Sequence, residues 1–285
     1  MAHTQPFQCG FVGSEDAYGL GIRIGAYTQW FASLLAQMLP KVESEALRTV
    51  NTCFQIAILA SLAYWTCTAP DTLHPAEAFI MLLFCFGGVS ACQSWSRNPF
   101  NSMFGSEAFS LRGIGDFIRN LVALGACSYG LWLTIRGRTR LDETACRTRV
   151  FFFAPVNLFG WYRYVLMAIF SFGILCGLLI TVACMLHAYH QYDAWLKDWR
   201  NNSISVEPEP NERPSIAVFL TTCIALGVFI VAVELTIIWN GIEGVQACNS
   251  VGQLFPLIVG VAGLLRIMWC FARALVVGEI SFRRR

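Results

Sequence analysis

Residues 214–239, PSIAVFLTTCIALGVFIVAVELTIIW, contain one ionisable side chain, Glu234, in a run otherwise dominated by hydrocarbon. A bilayer core about 30 Å thick is crossed by roughly 20 apolar residues in a helix, which satisfies every backbone hydrogen bond within the segment. This run is long enough, and six others resemble it, at approximately 18–39, 49–69, 76–96, 113–135, 164–189 and 251–273. Composition agrees: 56% of the 285 residues are apolar and 13% charged, the latter about half the share usual in soluble domains. The alternating segments of about ten residues that mark a membrane β-barrel are absent, because the apolar runs here are continuous and twice that length. The expected fold is all-α, a polytopic membrane helical bundle of about seven transmembrane helices forming a single domain, 1–285.

Lys and Arg accumulate on the cytoplasmic side of membrane proteins. The amino-terminal tail, the connector near 70–75 and the connector at 240–250 carry none. The opposite connectors carry Lys41 and Arg48, Arg97 and Arg112, Lys197, Arg200 and Arg213, and Arg273 with Arg283, Arg284 and Arg285. The amino terminus is therefore expected outside and the carboxyl terminus in the cytoplasm, in the plasma membrane or an endomembrane. One connector disagrees. Residues 136–163 carry six arginines and fall on the outer face, yet their FFFAPVNLFGWY core is too short to span and reads as an interfacial or re-entrant segment. The weakest span is the first, which Arg23 interrupts; if it lies along the surface, the other six keep their orientation. The opening MAHTQPFQCGFVGSEDA lacks the basic start and apolar core of a cleavable signal.

The longest polar stretch, 190–213, reads as a cytoplasmic loop. Its front half, YDAWLKDW, extends the fifth span with Trp195 and Trp199 as anchors, and EPEPNERP is acidic and broken by proline. Asn201 lies in an N-N-S sequon that this orientation keeps unmodified. Of twelve cysteines, Cys9, Cys146 and Cys248 fall in outer segments, where a Cys146–Cys248 disulfide would suit an oxidising face. The alternative is that all twelve pack as small apolar groups. No CxxC occurs and the four histidines are scattered, so neither a metal site nor any other cofactor is expected. The formal charge of +2 gives no reason to invoke nucleic acid; the expected partner is the lipid bilayer, with oligomerisation left open.

An ionisable side chain inside a span is costly, about 2.5–3.5 kcal/mol at the centre, and is a functional candidate for that reason. Glu234 and Arg23 each lie about five residues inside the outer end of their spans, which is roughly 7–8 Å deep. Equal depth and opposite charge allow an interhelical ion pair, joined by Tyr27 one turn from Arg23. Otherwise Arg23 reaches outward and Glu234 is protonated or satisfied by water. Gly227 and Gly241 share the Glu234 face and look suited to close helix contact, so Glu234 is expected to face protein or a wet cavity, not lipid. Glu243 would point away from Glu234 on a continuous helix, but Gly241 and Gly244 let the chain turn back and bring Glu243, Gln246 and Gln253 over the site. A second polar layer, near the cytoplasmic side and read as structural, comprises Asp116, Arg119, Asn120, Asn51 and Arg266, with Asp116 and Arg119 placed to pair along their own helix.

The stretches GLGIRIGAYTQW (19–30), VELTIIWNGIEGV (233–245) and VGQLFPLIVGVAGL (251–264) together resemble an uncharacterised group of multi-pass integral membrane proteins of filamentous fungi. The resemblance covers the first span and the last two. It implies an architecture and a fungal membrane setting, but no reaction, and it places Arg23, Tyr27, Glu234, Trp239 and Asn240 within shared motifs.

Two functional classes follow. In the first, the protein is a non-enzymatic conduit or sensor for a small ion or ligand, with a polar outer site drawn from Arg23, Tyr27, Glu234, Asn240, Glu243 and Gln253. In the second, it is a membrane enzyme of cyclase or isomerase type acting on a lipophilic intermediate of specialised metabolism, with Glu234 or Asp116 as general acid. A structural assembly subunit is a third reading. Hydrolase, kinase and nucleotide-binding signatures are missing: there is no GxSxG and no Walker loop, and the glycines of GLGIRIG suit helix packing. The first class is preferred, because one polar layer is strongly marked and no acid–base–nucleophile set is complete.

Overall fold

The computed structural model describes residues 10–37, 41–92, 111–141, 147–200, 216–248 and 250–276. A single turn, α1 (Glu15–Tyr18), leads into α2 (Leu20–Ala36). There follow α3 (Lys41–Thr68), α4 (Pro75–Cys92), α5 (Leu111–Arg140), α6 (Tyr162–Arg200), α7 (Ile216–Trp239) and α8 (Val251–Val276). Six of these, α3 to α8, are long and apolar enough to cross a membrane. This is the architecture of an integral membrane protein. The first expected span differs: α2 has 17 residues, about 26 Å of helix, and lies in the centre of the bundle. Helix α6 runs on to Arg200, taking in the front half of the expected 190–213 loop; the back half, with Asn201, lies outside the described residues.

Small residues set the packing around α2. A Cβ at Gly25 would overlap the Pro256 backbone, and one at Gly260 would meet Gly25, so α2 and α8 lie backbone to backbone. On the opposite flank Trp30 packs flat over Gly87 of α4, where any side chain would collide with its indole. Helix α4 is the most deeply enclosed span and touches α2, α3, α5 and α7. Helix α6 packs chiefly on α5, where Gly130 seats Phe170 and Gly173 seats Cys127, and it turns Phe172, Leu175, Leu179 and Val182 outward. Those exposed apolar groups belong against lipid.

Short strands cover the bundle end that carries Glu234. Strand β1 (Phe11–Val12) pairs in parallel with β4 (Ile242–Glu243), with Phe11 opposite Ile242 and Val12 opposite Glu243. Strands β2 (Arg149–Phe152) and β3 (Ala154–Asn157) form an antiparallel hairpin within the connector read as interfacial. Its tip, Phe153, has φ 59°, a left-handed conformation uncommon outside glycine. Phe153 is 87% exposed, and Phe152, Trp161 and Tyr164 are exposed near it. Clustered aromatics of this kind suit a membrane–water boundary.

Candidate functional site

Arg23 enters the bundle one turn after α2 begins, and burial closes over it until 1% of its side chain is exposed. A guanidinium there needs acceptors on every side. Nη1 donates to the Glu234 carboxylate of α7 and forms an ion pair with it. Nη2 donates to the Val245 carbonyl at 2.9 Å and to Gln246 Oε1 at 3.1 Å. Tyr27, one turn on, donates its hydroxyl to Glu234 Oε1 at 2.9 Å. Two glycines bring Val245 and Gln246 back over the helix end: Gly241 (φ 59°) and Gly244 (φ 82°) sit in the left-handed region that glycine occupies without strain.

Glu234 itself is 37% exposed. Its helical position explains this. Val233 and Ile237 on one side are buried, whereas Leu220, Val231 and Ile238 on the other are exposed, so the carboxylate lies on the seam between core and lipid-facing surface. The expectation that Gly227 provides close helix contact is overturned. A Cβ at Gly227 would have nothing within 4 Å. Gly241 lies beyond the end of α7, in the turn, where its carbonyl approaches Gly10. The stripe read as a packing face is therefore open at Gly227.

The other residues read as site candidates are engaged elsewhere. Asn240 ends α7 and treats Arg149 as a strand partner: its Oδ1 accepts from Arg149 N at 2.9 Å, and its Nδ2 donates to Arg149 O at 2.6 Å and Thr236 O at 2.7 Å. This pins the β2–β3 hairpin to the helix end. The Glu243 carbonyl accepts from Gly13 N at 2.9 Å, while its side chain is exposed and has no bond to Arg23 or Tyr27. Gln253, fully buried at the start of α8, accepts from Gly21 N at 3.1 Å through Oε1, and so joins α8 to α2. Asp116 pairs with Arg119 at 2.5 Å, and Asn120 donates to Gly177 O at 3.2 Å and Thr181 Oγ1 at 2.9 Å across to α6. Cys248 is a free thiol, and Cys146 lies outside the described residues.

Sequence reasoning passed over a buried carboxylate. Glu77, 4% exposed, accepts from Tyr18 Oη at 2.7 Å and Ser14 N at 3.0 Å through Oε1, and from His74 N at 3.0 Å through Oε2. The signal was present: Pro75 at the first position of α4 and Glu77 two residues later make the helix-start pattern in which an acidic side chain bonds back to the capping residue's N–H. Glu77 thereby fastens the 14–18 segment to α4. Gln246 was recognised as able to fold back, but its contact with Arg23 depends on the path of the turn.

Compared with family models, curated proteins and solved structures, the chain matches none. Among the described residues no group of three or more His, Cys, Asp or Glu side chains is placed to hold a metal ion. Asp116 and Glu234 occupy opposite ends of the bundle, so they assemble no carboxylate pair. The constellation on view is an ion pair with a phenol beside it, gripped from above by a connector.

Proposed function

We propose that the protein is a non-enzymatic membrane conduit or sensor for a small ion or ligand, with its amino terminus and the Arg23–Tyr27–Glu234 site at the outer face and its carboxyl terminus in the cytoplasm. The supporting observation is that one buried guanidinium joins a half-exposed intramembrane carboxylate to the connector above it, through Val245 and Gln246. A proton or cation taken up at Glu234 weakens its hold on Arg23, and the connector loses the anchor that keeps it folded over the bundle. The same reading includes membership of the fungal membrane group, since Arg23, Tyr27 and Glu234 all come from the motifs that carry that resemblance.

The test uses the full chain reconstituted in liposomes. Proton flux is followed with an entrapped pH dye, and potassium flux with a potassium dye. Exchange of backbone amides at 242–248 is measured alongside, at outer pH values from acid to neutral. Glu234→Gln is expected to alter the flux, or to abolish the dependence of that exchange on outer pH. Flux and exchange both indistinguishable from those of the unaltered chain sink the reading.

A further inference from the structure

Polar side chains also collect toward the bundle end where α2 and α4 finish, separated from Glu234 by aromatic rings. Ring centroids of Tyr27 and Trp30 lie 5.5 Å apart, and those of Trp30 and Phe84 lie 6.2 Å apart. Beyond them the three central helices come into a shared register. Helices α2 and α4 run in one direction and α3 in the other. The Asn51 amide of α3 donates to the Cys92 thiol of α4 at 3.2 Å, and the Ser33 hydroxyl of α2 lies beside that thiol. One turn nearer Arg23 on each helix stand Gln29, Gln55 and Gly88, and Gly88 provides the space that Gln55 fills, its Cδ being 2.9 Å from where a Cβ would sit. One turn the other way is Arg48, whose carbonyl faces the same thiol at 3.9 Å.

Gln29, Ser33, Asn51, Gln55 and Cys92 are all buried, and yet Gln29 Oε1, Gln55 Oε1, Trp30 Nε1 and Ser33 Oγ have no well-formed hydrogen bond among the described residues. Native interiors seldom leave such atoms unmet. These four atoms are neutral and include both acceptors and donors, beside the guanidinium of Arg48. A ligand that serves them must be small, must donate as well as accept, and must carry no charge that Arg48 and Arg119 would oppose. Water fits all three conditions, and polar interiors of this kind hold it.

We propose that α2, α3 and α4 enclose an internal water site lined by Gln29, Ser33, Asn51 and Gln55. It is continuous with the polar stripe through Arg48 and Arg119 to the part-exposed Asp116, and the Tyr27, Trp30 and Phe84 rings seal it from Glu234. The bundle then contains a hydrated half-path from the Asp116 end that stops at an aromatic barrier. This inference rests on the packing of the three helices and is independent of the reading given to Glu234.

Two equally buried thiols report on it. Cys92 belongs to the polar layer, whereas Cys85 lies two turns nearer the rings; both are fully buried. The full chain in liposomes is treated with a small water-soluble ammonium methanethiosulfonate and mapped by peptide mass spectrometry. Cys92 is expected to be modified roughly tenfold faster than Cys85, because thiol exchange needs a hydrated thiolate. The paired substitution Gln29→Leu with Gln55→Leu is expected to slow Cys92 to the Cys85 rate, while Glu234→Gln leaves it unchanged. Equal rates at the two thiols in the unaltered chain, or a Cys92 rate that the paired substitution does not slow, overturn the proposal.

Discussion

Two polar regions lie along the same helix and are built on opposite plans. Around Arg23 the groups are charged, and Glu234, Tyr27, Val245 and Gln246 meet them from three separate segments. Around Ser33, ten residues and about 15 Å further along α2, the lining groups are amides, a hydroxyl and a thiol with the guanidiniums of Arg48 and Arg119 beside them, and several of their atoms have no hydrogen-bond partner among the described residues. The difference follows from what each end of α2 meets. Charge is tolerable near a bundle end, where a connector can fold back and supply carbonyl acceptors. Toward the other end, where α2 and α4 finish, the buried guanidiniums of Arg48 and Arg119 stand beside uncharged groups that water can satisfy.

Substitutions break or sharpen that contrast. Arg23→Ala strips partners from Glu234 and the connector together, and a loss of about 3–5 kcal/mol is expected, measured by denaturant unfolding in detergent. A loss within error would mean that the charged layer is not held as a unit. Asn240→Ala removes the bonds that fix the hairpin to α7; about 1–3 kcal/mol should go, with faster amide exchange confined to 148–158. Tyr27→Phe deletes one hydrogen bond to a carboxylate that keeps its arginine, for about 1 kcal/mol by the same unfolding assay.

In the layer around Cys92 the same amide is worth less. Asn51→Leu, which gives up a bond to a thiol, should shift stability by under about 1 kcal/mol. If it proves costlier than Asn240→Ala, the contrast is reversed. Gly227→Ala should have the smallest effect and the opposite sign. With open space at the Cβ, helix preference alone predicts a gain of about 0.5–1 kcal/mol. A loss there would show that the seam beside Glu234 is filled in the membrane, which a thermal-unfolding series across lipid compositions would locate.

The helices were readable because crossing a bilayer requires length and apolarity, and both are local properties of a run. Arg23 and Glu234 were readable for a related reason: a charge in hydrocarbon stands out at any position, and counting residues from the helix ends gave their equal depth. Gln29, Ser33 and Gln55 were not. An uncharged polar residue barely lowers the hydropathy of a run, and the helical wheel shows which face it occupies without showing what that face meets. The partner of Asn240 was not readable for a similar reason. Its place beside Trp239 in a motif says nothing about Arg149, more than ninety positions away in the chain.

The sequence by itself determined that this chain is a bundle of membrane-length helices with a few misfit charges. The tertiary structure decided that α2, short and glycine-rich, is the axis on which α4 and α8 close. It also decided that the arginine of α2 binds a connector as well as a carboxylate, and that Glu234 rests on a seam and not in a packed face. Composition along a segment fixes what environment the segment requires, but which groups become neighbours depends on how segments far apart in the chain pack, and that is a property of the whole fold.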